Sequence, residues 1–381
     1  MEFDYTEEQL ALQDTLQKFI SRDYDFEKRR AFARSDLGYS AAAWKQYAEL
    51  GILALPFPEE YGGLNGNAVD TLVVMEQFGQ GLLLEPYLST VVACAGLIRD
   101  AAPPAMKSKL LPEVAAGTVQ LAFAAYEAAG RYDLSHVACK AEPLAGGWKV
   151  SGRKTVVLDG ASADYFLVSA RSSGAIGEAA GVSLFLVPRD AAGLKVSSYP
   201  THSGSRAADV QLDNVQVPKE ALIGVEGGAL ASIQRAADQV CAALCAEAVG
   251  IMSALNLATL DYLKSRKQFG VAIGSFQALK HKMADSLIAA EQSRSMAIIA
   301  AVHADSTDAA ERRRHIAAAK AYIGQAGRLV GQQAVQMHGG MGVVDDLIVS
   351  HYFKRLTMID LSFGDADYQL SYFSDTLRKA V

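Results

Sequence analysis

The first 118 residues show the spacing of apolar positions that is typical of α-helices. The segment TEEQLALQDTLQKFISRDY begins at Thr6, continues with two acidic residues and then places apolar residues at helical spacing. The segments SAAAWKQYAELGI and AVDTLVVMEQFGQGL repeat this pattern, and the turn-rich segment PFPEEYGGLNG separates them. We therefore predict an N-terminal α-helical domain over residues 1–118.

The hydrophobic period changes between residues 119 and 225. The segments GWKVSGRKTVVLDG, ADYFLVSA, GVSLFLVP and ADVQLDNVQVP alternate apolar and polar positions or run apolar over a short distance. Glycine, aspartate, asparagine or proline bounds each of them, as expected for β-strands. Because several short strands follow one another closely, we predict a central antiparallel β domain over residues 119–225.

From residue 226 onward the pattern is helical again, with long segments rich in alanine and leucine. One of them, RAADQVCAALCAEAVGIMSALNLATLDYLKSR, is apolar around most of its circumference, which is typical of a helix inside a bundle. We therefore predict a bundle of three or four long helices over residues 226–381. The fold class is α+β, with the β domain between two helical parts.

Charge and composition exclude several classes of protein. The net charge of −6 argues against broad binding of nucleic acid. The N-terminus MEFDYTEEQL lacks the apolar run of a secretory signal, and no segment approaches the roughly 18 uninterrupted apolar residues of a membrane span. The cysteines and the scattered histidines show no metal-ligand spacing, so no metal site is predicted. We expect a cytoplasmic protein with neither membrane nor nucleic acid as a partner.

Two segments in the last third are unusual for plain bundle helices. The first is RKQFG, from Arg266 to Gly270, with Gln277 shortly after it; the second is QMHGGMG, which begins at Gln336. Glycines allow close approach of the backbone or a positive φ, and arginine beside backbone N–H groups suits an anion such as a pyrophosphate. Each segment alone fits an ordinary helix end or loop equally well.

Taken together and in this order, these segments strongly resemble the acyl-CoA dehydrogenase family of flavoproteins. The segments PEEYGG (Pro58–Gly63) and NVQVP (Asn214–Pro218) extend the resemblance over nearly the whole chain. It implies that residues 226–381 form a C-terminal four-helix bundle. It also implies FAD bound between subunits of a dimer or tetramer, with an acyl-CoA thioester against the flavin. It further implies that a carboxylate takes the α-proton, that the β-hydrogen leaves as hydride to the flavin, and that an electron-transfer flavoprotein or a similar acceptor reoxidises it.

The resemblance also assigns residues to the cofactor. In this family one subunit binds much of the ADP half of its neighbour's FAD, and this half-site is fully retained here. Its residues are Arg266, Phe269, Gln277, Gln336, Gly339 and Gly340. The motifs that hold the flavin ring are altered. The segment from Tyr126 to Asp133 lacks the family's Thr, Pro and Ser, and the segment from Val156 to Gly160 lacks its Trp and its hydroxyl.

The family's catalytic glutamate falls on Phe363, within the segment LSFGDADYQL. Some members place the base on the first long bundle helix instead, near Val240 here, and that position is not acidic either. Glu247 lies two helical turns further along. Asp365 is the remaining candidate for the catalytic base, and its alternative role is to cap the final helix.

Three functions remain open at this stage. The favoured one is a subunit of a heteromeric dehydrogenase that completes a catalytic partner's FAD site, similar to the small subunits of bacterial pimeloyl-CoA and steroid-type enzymes. The second is a self-sufficient homo-oligomeric dehydrogenase with Asp365 as its base. The third is a flavin-free structural paralogue, against which the retained half-site of Arg266 and Gly339 argues.

Overall fold

The structure, a computed structural model, describes residues 5–379, and the chain forms two compact units. Unit 1 contains the residues up to Arg30, the segment Asn67–Leu83 and the chain from Cys241 onward. Unit 2 contains Ala31–Gly66 and Leu84–Val240. Both units therefore take residues from the first 118. The predicted domain boundaries fall in connections, since one follows the sixth helix and the other precedes the seventh.

The helices occupy the two ends of the sequence, as predicted. In chain order they are α1 (Glu7–Asp23), α2 (Phe26–Arg34), α3 (Ala41–Glu49), α4 (Ala68–Gly81), α5 (Gly96–Ala101), α6 (Pro104–Ala115), α7 (Leu230–Ser265), α8 (Gln277–Ala304), α9 (Ala309–His338), α10 (Ile348–Leu361) and α11 (Ala366–Lys379). A π-helix, Leu88–Ala95, leads directly into α5. The predicted four-helix bundle contains one helix more, because the turn around Phe363 divides its last segment into α10 and α11.

The β domain lies in unit 2. Its strands are β1 (Leu121–Ala124), β2 (Lys140–Leu144), β3 (Gly147–Leu158), β4 (Tyr165–Arg171), β5 (Val182–Pro188), β6 (Leu194–Pro200), β7 (Arg206–Pro218) and β8 (Leu222–Ile223). The sheet order is β6-β7-β3-β2-β4-β5-β8, and β1 also pairs with β4. The α+β fold class is confirmed, but the sheet is mixed. Both β1 and β2 run parallel to β4, and each reaches it through a connection that includes at least one other strand.

Local signals in the sequence explain two of the helices. The Thr6 hydroxyl accepts a hydrogen bond from the Gln9 N–H, and the Gln9 side chain accepts one from the Thr6 N–H, which completes a capping box at α1. Among the described residues, α7 alone is long and apolar enough to span a membrane, yet 83% of its most apolar stretch is buried inside the protein. This burial is typical of a helix in a hydrophobic core.

Two glycines let α4 and α7 touch through their backbones in unit 1. A Cβ atom at Gly250 of α7 would lie 1.9 Å from the Glu76 carbonyl oxygen of α4. In return, a Cβ atom at Gly79 of α4 would lie 2.1 Å from the Glu247 carbonyl oxygen of α7. No side chain fits in this contact, so the close packing of these helices depends on both glycines.

A buried arginine and a histidine join α2 to α10 within unit 1. The Arg29 Nε donates to the Leu82 carbonyl at 2.9 Å, and its Nη1 lies 3.2 Å from the His351 Nδ1. The opposite ring nitrogen of His351 lies 2.8 Å from the Asp345 carbonyl oxygen. Since arginine can only donate, the ring is the neutral tautomer with its proton on Nε2.

We expect the free energy of unfolding to fall as the pH drops below about 6.5, the usual pKa of histidine in an unfolded chain. Burial lowers the pKa of His351 in the folded protein, and the Arg29 charge lowers it further, although the Asp345 carbonyl opposes both. The contribution of neutral His351 is complete above the unfolded pKa. Below it, this contribution is lost by up to about 1.4 kcal/mol per pH unit until the folded pKa is reached.

Urea unfolding between pH 7.5 and pH 5 measures this loss. His351→Gln should flatten the pH dependence, whereas His202→Gln, at an exposed position in unit 2, should leave it unchanged. An equal slope in His351→Gln and the unaltered chain would show that His351 titrates normally in the fold.

Candidate cofactor and active site

The two unusual segments of the last third meet at one end of unit 1. The Tyr262 ring, near the end of α7, stacks on the His338 ring, at the end of α9, with the ring centroids 4.4 Å apart. The Tyr262 hydroxyl also donates to the His338 carbonyl at 3.4 Å. This contact places Arg266, one turn after Tyr262, at the same end of the unit as Gly339.

The RKQFG segment forms a tight hairpin whose tip projects a phenylalanine. Strands β9 (Lys267–Gln268) and β10 (Val271–Ala272) pair antiparallel, and the two residues between them both have positive φ, +53° at Phe269 and +81° at Gly270. Positive φ at both central residues is typical of a type I′ turn, although it is uncommon for a bulky residue. The Phe269 side chain is 90% exposed, with Phe276 packed edge-on against it. The hairpin therefore offers an aromatic ring to a group outside this unit.

The HGGMG turn presents open backbone beside this hairpin. Gly339 ends α9 with φ +61° and ψ −140°, a conformation close to the region that essentially only glycine adopts. A Cβ atom added at Gly339 or Gly340 would meet nothing within 4 Å. Packing inside the unit therefore does not explain Gly340. An approaching ligand would explain it, because glycine leaves the backbone accessible.

All six residues that the sequence assigns to the cofactor half-site are exposed. They are Arg266, Phe269, Gln277, Gln336, Gly339 and Gly340. An exposed guanidinium beside glycine backbone suits a phosphate or pyrophosphate anion, and an exposed aromatic ring suits a flat heterocycle. The residues present thus fit the adenine-dinucleotide part of FAD, although their roles stay a prediction.

The first altered flavin-ring motif, from Tyr126 to Asp133, contains Glu127, whose contacts lie within unit 2. The Glu127 carboxylate accepts hydrogen bonds from the N–H groups of Ala138 and Cys139, at 2.8 and 3.0 Å, and from the Lys154 Nζ at 2.7 Å. Burial alone would raise the pKa of Glu127, but the Lys154 charge and these donors outweigh it and the pKa is lowered. The ionised pair of Glu127 and Lys154 therefore fixes the segment after β1. These contacts account for a glutamate at this position without a bound flavin.

The second flavin-ring motif lies on an irregular part of β3. Val156 has φ +51°, which is unusual for a β-branched residue, and sits where the β3–β7 register shifts between Lys154 and Val157. Its side chain is 50% exposed. Asp159, three residues later, accepts a hydrogen bond from the Ser89 hydroxyl at 2.6 Å. The structure thus presents a small valine at the position where the resemblance implies a tryptophan.

Hydrogen bonds from two buried side chains, Lys320 and Gln369, hold the turn that carries Phe363. Phe363 has φ +55° and is half-buried. Its carbonyl accepts from the Gln369 Nε2 at 2.8 Å, and the Cys241 thiol lies 3.6 Å away. The fully buried Lys320 Nζ donates to the carbonyls of Ile359, Asp360 and Gly364, at 2.8, 2.9 and 3.1 Å. These bonds offset the strain of a positive φ at a phenylalanine, a cost on the order of 1–3 kcal/mol.

Asp365 and Glu247, the two carboxylates that the sequence analysis names near the missing glutamate, both accept hydrogen bonds within unit 1, and so does a third carboxylate beside the turn, Asp360. Asp365 accepts from the Tyr368 N–H at 2.9 Å, the bond of a helix N-cap at the start of α11. Glu247 pairs with the Arg355 guanidinium through two bonds of 2.6 and 2.7 Å. Asp360, beside the turn, accepts from the Arg328 guanidinium at 2.8 Å and from the Ala366 N–H at 3.1 Å. Each of these carboxylates therefore already has a hydrogen-bond donor within unit 1. The catalytic role of Asp365 stays a prediction, and its cap geometry disfavours it.

Sequence reasoning missed the lysines that support both motifs. Lys320 lies in AAAKAYIG, where small apolar residues on both sides indicate the buried surface of a helix. Lys154 lies within the alternating segment of β3, and its inward direction follows from that alternation. Both signals exist in the sequence, but neither identifies the carbonyls or the carboxylate that each lysine contacts.

Comparison with known proteins gives a consistent result over nearly the whole chain. The family profiles described as the N-terminal, middle and C-terminal domains of acyl-CoA dehydrogenase match residues 6–118, 122–215 and 229–377. A relative from Bacillus subtilis (strain 168), described as a probable acyl-CoA dehydrogenase YngJ, is 26% identical over 374 residues. The alignment covers 97% of this chain and 97% of the relative.

Solved structures resemble the whole chain as well. A variant of the Tcur3481-Tcur3483 steroid ACAD is 29% identical, with 98% of both chains covered and a TM-score of 0.87. The FAD complex of PigA is 25% identical, with 100% of both chains covered and a TM-score of 0.92.

Proposed function

Because the chain belongs to the acyl-CoA dehydrogenase family of flavin-dependent oxidoreductases, we propose that it takes part in the FAD-dependent α,β-dehydrogenation of an acyl-CoA thioester. Its part is that of the smaller subunit of a heteromeric dehydrogenase, in which it completes the FAD site of a catalytic partner. The division into domains at residues 1–118, 119–225 and 226–381 belongs to this proposal, as do a cytoplasmic location and an electron-transfer flavoprotein as acceptor.

One observation carries the proposal: the residues that the resemblance assigns to a neighbour's cofactor are all present and exposed, whereas the position that it assigns to the base holds Phe363. Arg266 contributes a permanent positive charge for the pyrophosphate, Phe269 an aromatic surface, and Gly340 an open backbone. Bound FAD would supply hydride acceptance. The turn at Phe363 keeps a fixed shape through Lys320 but offers no proton acceptor.

The named relatives support both the cofactor and the assembly. PigA is described in complex with FAD, and the steroid ACAD carries the two-part name Tcur3481-Tcur3483. These similarities support FAD as the cofactor and a steroid-type thioester as one substrate class. A self-sufficient enzyme with Asp365 as its base would have to use a carboxylate that also caps α11 through the N–H of Tyr368.

Flavin stoichiometry tests the proposal. The chain purified alone should contain far less than one FAD per chain, and octanoyl-CoA or a steroid side-chain CoA thioester should not bleach it. Co-expression with family members that retain the catalytic glutamate should yield a complex with bound FAD that acyl-CoA bleaches. About one FAD per chain in the isolated protein, bleached by acyl-CoA, would establish a self-sufficient enzyme and make Asp365→Asn the next variant.

A further inference from the structure

Three side chains that can bind metal ions meet where α8 passes into α9, away from both motifs described above. His303 lies in the last turn of α8, and Glu311 and His315 lie one turn apart near the start of α9. Each offers one ligand atom, and these atoms all lie within 4.8 Å of one another. We propose that His303, Glu311 and His315 bind a divalent transition-metal ion such as Zn²⁺.

Hydrogen bonds already orient two of the ligands. The His315 Nδ1 lies 2.9 Å from the Glu311 carbonyl oxygen and donates its proton to it, so the lone pair is on Nε2. The Glu311 carboxylate accepts from the Ser306 hydroxyl at 3.2 Å through one oxygen, and its other oxygen lies 3.8 Å from the His303 Nδ1. Such outer contacts fix the tautomer and direction of metal ligands in known sites.

The required rearrangement is small. Zinc holds nitrogen and oxygen ligands at about 2.0–2.2 Å, so two ligands of one tetrahedral ion lie about 3.3–3.6 Å apart. The imidazole rings of His303 and His315 are now stacked, with centroids 3.7 Å apart and planes 3° from parallel. Rotation of the His303 ring, with the His315 ring kept on the Glu311 carbonyl, would turn a His303 nitrogen toward an ion shared with the other two ligands. The His303 side chain is 25% exposed and that of Glu311 44%, which leaves room for such rotation and for a water ligand.

Charged side chains of both signs surround the cluster. Glu311 supplies a negative charge. Arg314 opposes a cation here, whereas the Arg312 guanidinium is buried and donates to the Ser306 carbonyl at 2.8 Å. Two imidazoles with one carboxylate are a ligand set of known zinc sites.

Sequence spacing did not reveal this cluster, because one ligand comes from α8 and two from α9. The run of charged residues from Glu311 to His315 has the composition of a solvated helix face, yet Arg312 within it is only 4% exposed. The four cysteines are all buried, so they do not compete for an added ion. Metal binding would join the end of α8 to α9 and thereby stabilise unit 1.

Titration of the tag-free protein with ZnCl₂, followed by calorimetry and by competition with a chromogenic chelator, tests the proposal. We expect one saturable Zn²⁺ per chain and an increase in Tm that EDTA reverses. The double variant His303→Gln/His315→Gln should lose the site, and Glu311→Gln should weaken binding at least tenfold. The control variant His136→Gln/His202→Gln removes the same number of histidines from unit 2 and should bind as the unaltered protein does.

Circular dichroism in EDTA establishes that each variant is folded, so that a loss of binding reflects lost ligands. Equal Zn²⁺ affinity and stoichiometry in His303→Gln/His315→Gln and in the control would overturn the proposal. So would the lack of saturable binding by the unaltered protein, or a zinc-dependent increase in Tm that the double variant retains.

Discussion

Arg266→Gln is expected to weaken the binding of FAD by the heteromeric complex about 10- to 100-fold, because a charge-assisted bond to a phosphate contributes roughly 1.5–3 kcal/mol. The variant chain itself should keep its Tm, since Arg266 is exposed and its guanidinium supports no described contact inside unit 1. The measurement is the dissociation constant of FAD, obtained by adding FAD back to the flavin-free complex. Phe269→Ala should show a smaller loss in the same assay.

The matched control is Lys267→Gln, which removes a positive charge from the neighbouring position of the same exposed hairpin. If Arg266 contacts the pyrophosphate directly, the affinity of the control for FAD should fall less than about threefold, because only the long-range attraction of the surface charge is lost. Equal losses in both variants would mean that net charge, and not a specific contact, supports the cofactor. Unchanged affinity in Arg266→Gln would remove this residue from the FAD site.

Gly250→Ala is expected to cost about 3 kcal/mol of unfolding free energy, the upper end of what overpacked positions show. The added Cβ would lie 1.9 Å from the Glu76 carbonyl oxygen and 2.8 Å from its carbonyl carbon, and both atoms belong to the backbone of α4. Side-chain rotation cannot relieve this contact, so the helices must separate. The better helix propensity of alanine, about 0.5–1 kcal/mol, offsets only part of the cost.

Thermal and urea unfolding measure this effect, with Gly146→Ala as the control. A Cβ atom at Gly146 would meet nothing within 4 Å and its φ is not positive, so the free energy should change by less than about 0.5 kcal/mol. If Gly250→Ala is as stable as Gly146→Ala, α4 and α7 are not in backbone contact in solution.

The fold could be predicted from the sequence where local periodicity decides it. The segment after Thr6, the alternating segments that became β3 and β7, and the apolar sequence of α7 each indicated their element correctly. The parallel pairing of β1 with β4 could not be predicted, because it joins segments about 40 residues apart and depends on their packing, not on their period. The strained turn at Phe363 likewise follows from the contacts of Lys320, which lies on another helix.

The candidate site could be predicted only in part, for the same reason. Motif resemblance located Arg266 and Gly339, and the structure brings their segments together through Tyr262 and His338. Motif resemblance could not show which carboxylates pair with other side chains, because the partner of Glu247 is Arg355, about 100 residues away in sequence. The proposal that the chain lacks its own base therefore depends on the structure, although the replacement of the glutamate by phenylalanine was visible in the sequence.

The most direct test of the central claim is exchange of the substrate's α-hydrogen, since this reports the base without requiring an electron acceptor. The isolated chain is incubated with an excess of added FAD and with octanoyl-CoA in D₂O, and mass spectrometry follows deuterium at the α-carbon. We predict no exchange above a control without protein, because Phe363 cannot accept a proton and Asp365 caps α11. Deuterium incorporation that Asp365→Asn abolishes would contradict this account and identify Asp365 as the base of a self-sufficient enzyme.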